Sequence, residues 1–162
     1  MSNSQLQNKN PAKTQLTTFY VGADLFGVEV LKVQEVTGTP AIVPVPLAPD
    51  FVLGLVNLRG QIATALGLRQ VFGKAVDAEK PAMSVVCKLE GNLMSLIVDS
   101  IGDVIEIENT MFEETPDTLA LDLRRFIKGI YKMNTELLSV LDLDALAKEL
   151  SPQADTSVGR AV

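Results

Sequence analysis

The chain has 162 residues, 47% of them hydrophobic, which is enough for one domain with a buried core. Its net charge of −6 argues against binding to nucleic acid or to anionic membranes, because such binding requires clustered Lys and Arg. The chain contains no histidine and so lacks Ser-His and Cys-His nucleophile pairs, a histidine phosphoacceptor and most catalytic zinc sites; we expect no catalytic residue, metal site or cofactor.

Both ends of the chain are polar and lack the apolar periodicity of folded elements. Residues 1–15 and 151–162 are predicted to be disordered tails around a folded part that spans 16–150. The N-terminal segment has no apolar stretch like that of a signal peptide, and no later segment reaches the roughly 18 apolar residues of a spanning helix. We therefore expect a cytoplasmic protein without direct membrane insertion.

The first half of the folded part begins with a predicted hairpin. Leu16–Val21 and Leu25–Val30 are rich in β-branched and aromatic residues and flank the turn residues Gly22-Ala23-Asp24. Val30–Val36 is predicted to form one or two helical turns, because its valines recur at three-residue spacing. Three prolines between residues 44 and 49 then remove ladder donors, which predicts an edge strand or loop.

Two short apolar segments complete this half. Val52–Leu58 and Gln61–Leu66 are interrupted by Arg59-Gly60, and residues 68–72 are predicted to form a single helical turn that ends at Gly73. A linker of mixed charge with a proline follows, so we place the division between two similar lobes near 74–82.

The second half repeats the pattern of short strands and turns. A final helix to about Leu150 is predicted, with Asp142 or Asp144 as its cap. Short strands at close spacing, with almost no long helical pattern, predict an all-β fold of small barrels. The predicted hairpins pair 82–89 with 93–98 and 126–133 with 136–141, and a further strand covers 104–107.

Cys87 is the only cysteine and lies in the apolar segment Met83–Leu89. We interpret it as a small buried hydrophobe rather than a reactive thiol.

An acidic stretch covers Asp99–Leu123, which holds eight acidic residues and no Lys or Arg. Such stretches are typical of solvated surfaces. The alternative is a face that meets a basic patch on a partner protein.

The segment Gly54-Leu-Val-Asn57-Leu58-Arg59-Gly60-Gln-Ile62 places an arginine at a turn between apolar segments. In the simpler interpretation Gly60 supplies a positive φ and Arg59 is merely solvated. In the other, the Asn57 side chain fixes the turn by hydrogen bonds. Arg59 then grips a carboxylate or carbonyls, inside the protein or on a partner, with its planar fork of five donors.

Several segments match, in order, the pattern of one known family. The most specific is Asn57-Leu58-Arg59-Gly60 with the upstream Gly54. Over roughly residues 15–150 the chain resembles the chemotaxis coupling-protein (CheW) family. The other matching segments are Phe26-Gly27-Val28, Leu31–Val36, Leu68-Arg69, Ile97-Val98-Asp99, Asp103-Val104, Gly129 and Leu141-Asp142-Leu143.

This resemblance implies two packed, five-stranded, SH3-like β-barrel lobes with short helical turns and a C-terminal helix. It also implies a non-catalytic adaptor that couples the cytoplasmic tips of methyl-accepting chemoreceptors to a CheA-type histidine kinase in signalling arrays, with self-association in rings left open. In that family, the first-barrel segment that contains Val33 and Glu35 and the turn that contains Gly54 and Arg59 are associated with receptor or partner contact, and the ends of both barrels with contact to the kinase. The candidate partner-binding residues are Val33, Glu35, Gly54, Asn57 and Arg59.

Two positions depart from the family pattern. Members often have proline where Thr64 stands and aspartate where Gly67 stands. Loss of that aspartate removes a cap or salt-bridge partner for Arg69 or Arg59, so a different local turn or partner surface is expected. A scaffold of a non-flagellar chemosensory pathway, for example one linked to pili, therefore stays open.

Two other functions suit small β-barrels. An oligonucleotide-binding module would use a basic groove lined with aromatic rings, whereas this chain is acidic and has only six Phe, two Tyr and no Trp. A hydrolase would use carboxylates such as Asp99 and Asp103, but no nucleophile or oxyanion site accompanies them. We therefore expect an adaptor rather than an enzyme.

Overall fold

In the computed structural model, residues 12–76, 81–116 and 124–150 are described, and their strands form two β-sheets. Two helices, Leu68–Val71 and Leu143–Leu150, and two 3₁₀ turns, Val30–Lys32 and Asn109–Met111, accompany them. The strands of the described part are β1 (Lys13–Val21), β2 (Asp24–Glu29), β3 (Val33–Gly38), β4 (Val52–Leu58), β5 (Gln61–Gly67), β6 (Met83–Leu89), β7 (Asn92–Val98), β8 (Ser100–Glu108), β9 (Phe112–Glu113), β10 (Ile127–Lys132) and β11 (Leu137–Leu141).

Each sheet builds one lobe. The central lobe is a five-stranded sheet in the order β3-β6-β7-β5-β4, and the terminal lobe is a six-stranded sheet in the order β8-β1-β2-β11-β10-β9. Neighbouring strands are antiparallel except for the parallel pairs β5–β7 and β2–β11. The predicted all-β fold of two lobes with few helices is confirmed, although the terminal sheet has six strands rather than five because the two-residue β9 pairs with β10.

The two lobes do not divide the chain near 74–82. β1 and β2 pair with β8 and β11, so the terminal lobe takes strands from both ends of the chain. Residues 74–76 follow the Leu68–Val71 helix and residues 81–82 precede β6, and the strands on either side, β5 and β6, both belong to the central lobe. The chain passes between lobes at the Val30–Lys32 turn and again at Asp99. Similar short strands reveal nothing about which distant strand each one pairs with, so the simpler sequential division was wrong.

Two local boundaries also differ from prediction. β1 begins at Lys13, inside the predicted N-terminal tail, because its polar first residues pair with β8 from Glu108 onward. Only Val30–Lys32 is helical in the predicted helix Val30–Val36, and β3 follows at once. The β-branched side chains after Lys32 suit a strand, and pairing with β6 satisfies their backbone groups. The predicted C-terminal tail 151–162 lies outside the described residues.

The predicted hairpins at residues 22–24, 90–92 and 134–135 form, as do the strand, turn and strand around Arg59-Gly60. Cys87 is fully buried, and this burial raises the pKa of its thiol to about 12. The prediction that Cys87 is a small buried residue is therefore confirmed.

The final helix, Leu143–Leu150, is capped by Asp142, whose Oδ1 accepts a hydrogen bond from the Ala145 amide at 3.0 Å. Of the two predicted caps, this one satisfies a first-turn donor that would otherwise lack a helical partner. The helix buries Leu143 and Leu146 in the core. Across the described ranges no helix is both long and apolar enough to cross a membrane.

Three apolar clusters hold the lobes. The largest lies between them, since it joins side chains of β1 and β2 to side chains of β6 and β7, with the final helix packed against it. A smaller cluster fills each lobe: Leu16, Leu25, Ile107, Tyr131, Leu138 and Val140 in the terminal lobe, and Ala63, Val86 and Leu93 in the central lobe.

Candidate partner-binding site

The turn between β4 and β5 consists of Arg59 and Gly60, with Leu58 and Gln61 as the last paired residues. Both turn residues have positive φ, +54° for Arg59 and +89° for Gly60. Two positive φ values are the requirement of a type I′ hairpin turn, in which Asn-Gly is the favoured pair. The Asn57 Oδ1 accepts a hydrogen bond from the Gly60 amide at 2.8 Å. Asn57 therefore fixes this turn, as the second interpretation of the segment predicts.

Arg59 pairs with Glu35 across the central lobe. Its Nη2 lies 3.3 Å from Glu35 Oε2, yet the Arg59 side chain is 87% exposed while that of Glu35 is 21% exposed. β3 and β4 are opposite edges of this sheet, so the sheet must curl until its edges approach each other. An ion pair this exposed contributes at most about 1 kcal/mol, and most of the guanidinium faces solvent.

Gly54 allows the proline-rich segment to approach β4. Val43 and Leu55 exchange two backbone hydrogen bonds of 2.8 Å each. Gly54 has a φ of +146°, and a Cβ built there would lie 2.1 Å from the Val43 carbonyl oxygen. Only glycine fits this contact, so the structure gives Gly54 a structural role.

Val33 lies apart from the other predicted residues. It pairs with Cys87, is half-buried and packs against the cluster between the lobes. Glu35 pairs with Val86, which belongs to the cluster inside the central lobe. The structure thus brings Glu35, Asn57 and Arg59 together, places Gly54 further along β4, and turns Val33 toward the core.

A row of exposed apolar side chains adjoins the Arg59 turn and was missed from the sequence. Leu55 and Ile62 share the Asn57 face of the β4–β5 pair, and Val43 lies opposite Leu55. We call Val43, Leu55 and Ile62 the apolar row; their exposed fractions are 66%, 38% and 59%. The prolines around Val43 were the available signal, since they keep this segment out of a regular ladder.

Asp99, which the hydrolase alternative would use, is held in a network. Its carboxylate accepts hydrogen bonds from Arg69 Nε at 2.8 Å, Arg69 Nη2 at 2.6 Å and the Gly22 amide at 2.6 Å. Arg69 therefore has a carboxylate partner although Gly67 stands where the family often has aspartate. Asp103 contributes a backbone carbonyl to Thr18 at 2.5 Å. These contacts give the Asp99 carboxylate a structural role, whereas at Asp103 the contact is made by the backbone.

The acidic stretch is partly neutralised within the terminal lobe. Lys13 lies 3.5 Å from Glu106, and Lys132 lies 3.4 Å from Glu113. These are exposed pairs that belong to a solvated surface.

Comparison with known proteins places the chain in a family. The family model described as CheW-like domain matches residues 15–151. The chain is 26% identical over 151 residues to the probable chemotaxis protein CheW of Rhizobium etli, covering 92% of this chain and 97% of that protein. It is 28% identical over 144 residues to the chemotaxis protein CheW of Helicobacter pylori, covering 88% and 87%.

A solved structure agrees. The scaffolding protein TtCheW from Thermoanaerobacter tengcongensis superposes with a TM-score of 0.73 at 27% identity, covering 83% of this chain and 88% of that one. With the two β lobes and the family match over nearly all the described residues, the chain belongs to the CheW family of chemotaxis scaffold proteins.

Proposed function

We propose that the chain acts as a non-catalytic adaptor that couples chemoreceptor cytoplasmic tips to a CheA-type histidine kinase. The observation that carries this proposal is Arg59: a side chain 87% exposed on a residue held at a φ of +54°. A left-handed φ costs a non-glycine residue roughly 1–2 kcal/mol. Strain of this kind persists where the surrounding structure imposes it and is concentrated at functional positions.

The surroundings of Arg59 suit a protein partner. Asn57 holds the turn through Gly60, so the guanidinium leaves a preorganised backbone. The apolar row lies on the adjoining face and supplies area that association can desolvate. Arginine next to apolar anchors is the composition in which interface binding energy concentrates. The site therefore favours a protein surface that offers carboxylates or carbonyls beside an apolar strip.

Scaffolding requires two such contacts at once. The lobes present separate sheets with separate edges, so one lobe can engage the receptor while another surface engages the kinase. Ligand-dependent receptor motion then alters kinase output, because the adaptor binds the two states of the assembly with different free energies. Individually weak contacts gain strength from repetition in an array.

Calorimetry with purified partners tests this proposal. The native chain, Arg59→Ala and Arg59→Lys are titrated with a CheA-type kinase and, separately, with a receptor cytoplasmic fragment. Lys13→Ala is the matched control, since it also removes one exposed ion pair but lies in the terminal lobe. Val33 is a poor probe of binding, because a substitution such as Val33→Asp would place a charge against the apolar cluster between the lobes and so disturb folding.

The native chain should bind both partners, and Arg59→Ala should weaken at least one of them about 5-fold or more, as expected for an anchor worth at least about 1 kcal/mol. Arg59→Lys should recover only part of the affinity, because lysine keeps the charge and loses the fork. Lys13→Ala should bind like the native chain. Absence of binding to either partner at about 50 µM, equivalent to about −6 kcal/mol, would defeat the proposal.

A further inference from the structure

The passage of the chain from β7 to β8 forms a polar joint between the lobes. Asp99 lies there, and its amide donates a hydrogen bond to the Tyr20 carbonyl at 2.9 Å. Its carboxylate accepts from the Gly22 amide at 2.6 Å, in the β1–β2 turn of the terminal lobe. The same carboxylate accepts from Arg69 Nε and Nη2, on the helix that follows β5 of the central lobe. One side chain thus connects both lobes.

A second ion pair lies at the same β1–β2 turn. Lys74, which follows the Leu68–Val71 helix, pairs with Asp24 at the start of β2. The Arg69 Nη1 donates to the Ala75 carbonyl, so the arginine also anchors the segment that carries Lys74. Lys74 therefore binds directly at the β1–β2 turn of the terminal lobe, and Arg69 is connected to this turn through Asp99.

The polar joint has the directional geometry that apolar packing lacks. Burial of the cluster between the lobes favours contact between them, but the hydrophobic effect is non-directional. A bidentate pair between arginine and carboxylate fixes both a distance and a plane. The Arg69 and Asp99 side chains are 20% and 27% exposed, so this pair is better shielded from water than the Arg59–Glu35 pair.

We propose that Asp99, held by Arg69 and by the Gly22 amide, is a positioning residue that fixes the angle between the central and terminal lobes. The apolar cluster keeps the lobes together, and the polar joint selects one orientation among those that the cluster allows. The consequence for coupling rests on the proposed function: an adaptor that holds two partners in one geometry needs a fixed angle between its binding lobes.

Spin labels measure this angle directly. Asn92 begins β7 in the central lobe, Asn134 lies between β10 and β11 in the terminal lobe, and both are exposed. Cysteines at these two positions accept the labels, whereas Cys87 is fully buried and its thiol pKa is raised to about 12, both of which oppose labelling. The pair distance is recorded for the otherwise native chain and for variants of the joint.

Arg69→Met removes the fork and keeps an apolar stem, Arg69→Lys keeps the charge, and Asp99→Asn removes the carboxylate charge. Lys13→Met is the matched control, because the Lys13–Glu106 pair lies within one lobe. Circular dichroism and a cooperative thermal transition establish that each variant is folded. We expect Arg69→Met and Asp99→Asn to broaden or shift the distance distribution, Arg69→Lys to restore it in part, and Lys13→Met to leave it unchanged.

An unchanged distribution in folded Arg69→Met and Asp99→Asn would overturn the proposal and assign the angle to the apolar cluster alone. Partner binding provides a second readout: folded joint variants should keep their affinity for each partner alone and lose the ternary complex. If the native chain binds no chemotaxis partner, the proposed function fails, whereas the distance measurement still decides the role of the joint.

Discussion

Replacing Gly54 with alanine should detach the proline-rich segment from β4. The added Cβ would lie 2.1 Å from the Val43 carbonyl oxygen, at a φ of +146° that side chains rarely adopt. Backbone strain of this type costs roughly 1–3 kcal/mol. Separation of Val43 from Leu55 removes two hydrogen bonds worth about 0.5–1.5 kcal/mol each. The free energy of unfolding should therefore fall by about 2–6 kcal/mol, which is a large fraction of the stability of a small domain.

Urea denaturation followed by circular dichroism measures this loss. With a denaturant slope of about 2 kcal/mol/M, the midpoint should move down by about 1–3 M. Gly38→Ala is the matched control: it is also a strand glycine of the central lobe, but a Cβ there meets nothing within 4 Å. The control should stay within about 1 kcal/mol of the native chain.

Equal stability of the Gly54 and Gly38 variants would refute this account of the Val43 contact. A Gly54→Ala chain of native stability that nonetheless fails to bind partners would show that Gly54 acts directly at an interface. The structural role derived above would then be wrong.

Three further predictions concern single side chains. Arg59→Asn should raise the free energy of unfolding by about 0.5 kcal/mol in urea melts, because asparagine tolerates a positive φ better than arginine and the lost ion pair is exposed. The same substitution should weaken partner binding. A variant less stable than the native chain would contradict the backbone strain inferred at this turn. Asp142→Ala should lower the free energy of unfolding by about 1 kcal/mol, and Asp142→Asn by only a few tenths, because the amide of Ala145 loses its cap only in the first. Folding raises the thiol pKa of Cys87 from 9.0 to about 12, so the unfolded chain loses this proton at a lower pH than the folded chain. The free energy of unfolding should therefore fall as the pH rises from 9 to 12, by up to about 1.4 kcal/mol per pH unit. Melts at several pH values compare the native chain with Cys87→Val, and an equal pH dependence of the two would contradict this prediction.

Local features of this fold could be predicted from the sequence because their causes are local. Gly22, Gly60 and Gly91 adopt positive φ in the turns, and each turn joins strands that are neighbours in the chain. The interleaving of the lobes has no local cause, since β1 pairs with β8, which lies 80 to 95 residues away. The mistaken helix at Val33–Val36 has the same origin, because pairing with β6 outweighs the three-residue spacing of the valines.

The same contrast between local and long-range causes applies to the candidate site. Of the two interpretations of the Asn57–Gly60 segment, the structure agrees with the one in which Asn57 fixes the turn, and this could be anticipated because the hydrogen bond reaches only three residues along the chain. The Arg59–Glu35 contact joins opposite edges of a curled sheet, and curl depends on the packing of the whole lobe. The apolar row was missed because the sequence of a short strand does not distinguish an exposed apolar residue from a buried one.

The position of the strained residue in the β4–β5 hairpin distinguishes what folding requires from what the display of a side chain requires. A turn that served only to reverse the chain would be most stable with asparagine or glycine at the first position, yet this chain places its asparagine two residues earlier, as Asn57, where the side chain holds Gly60. Arg59 then occupies the strained position, its ion pair with Glu35 too exposed to offset the cost fully. Stability alone does not favour an arginine at this position, which agrees with the partner contact proposed for the exposed guanidinium.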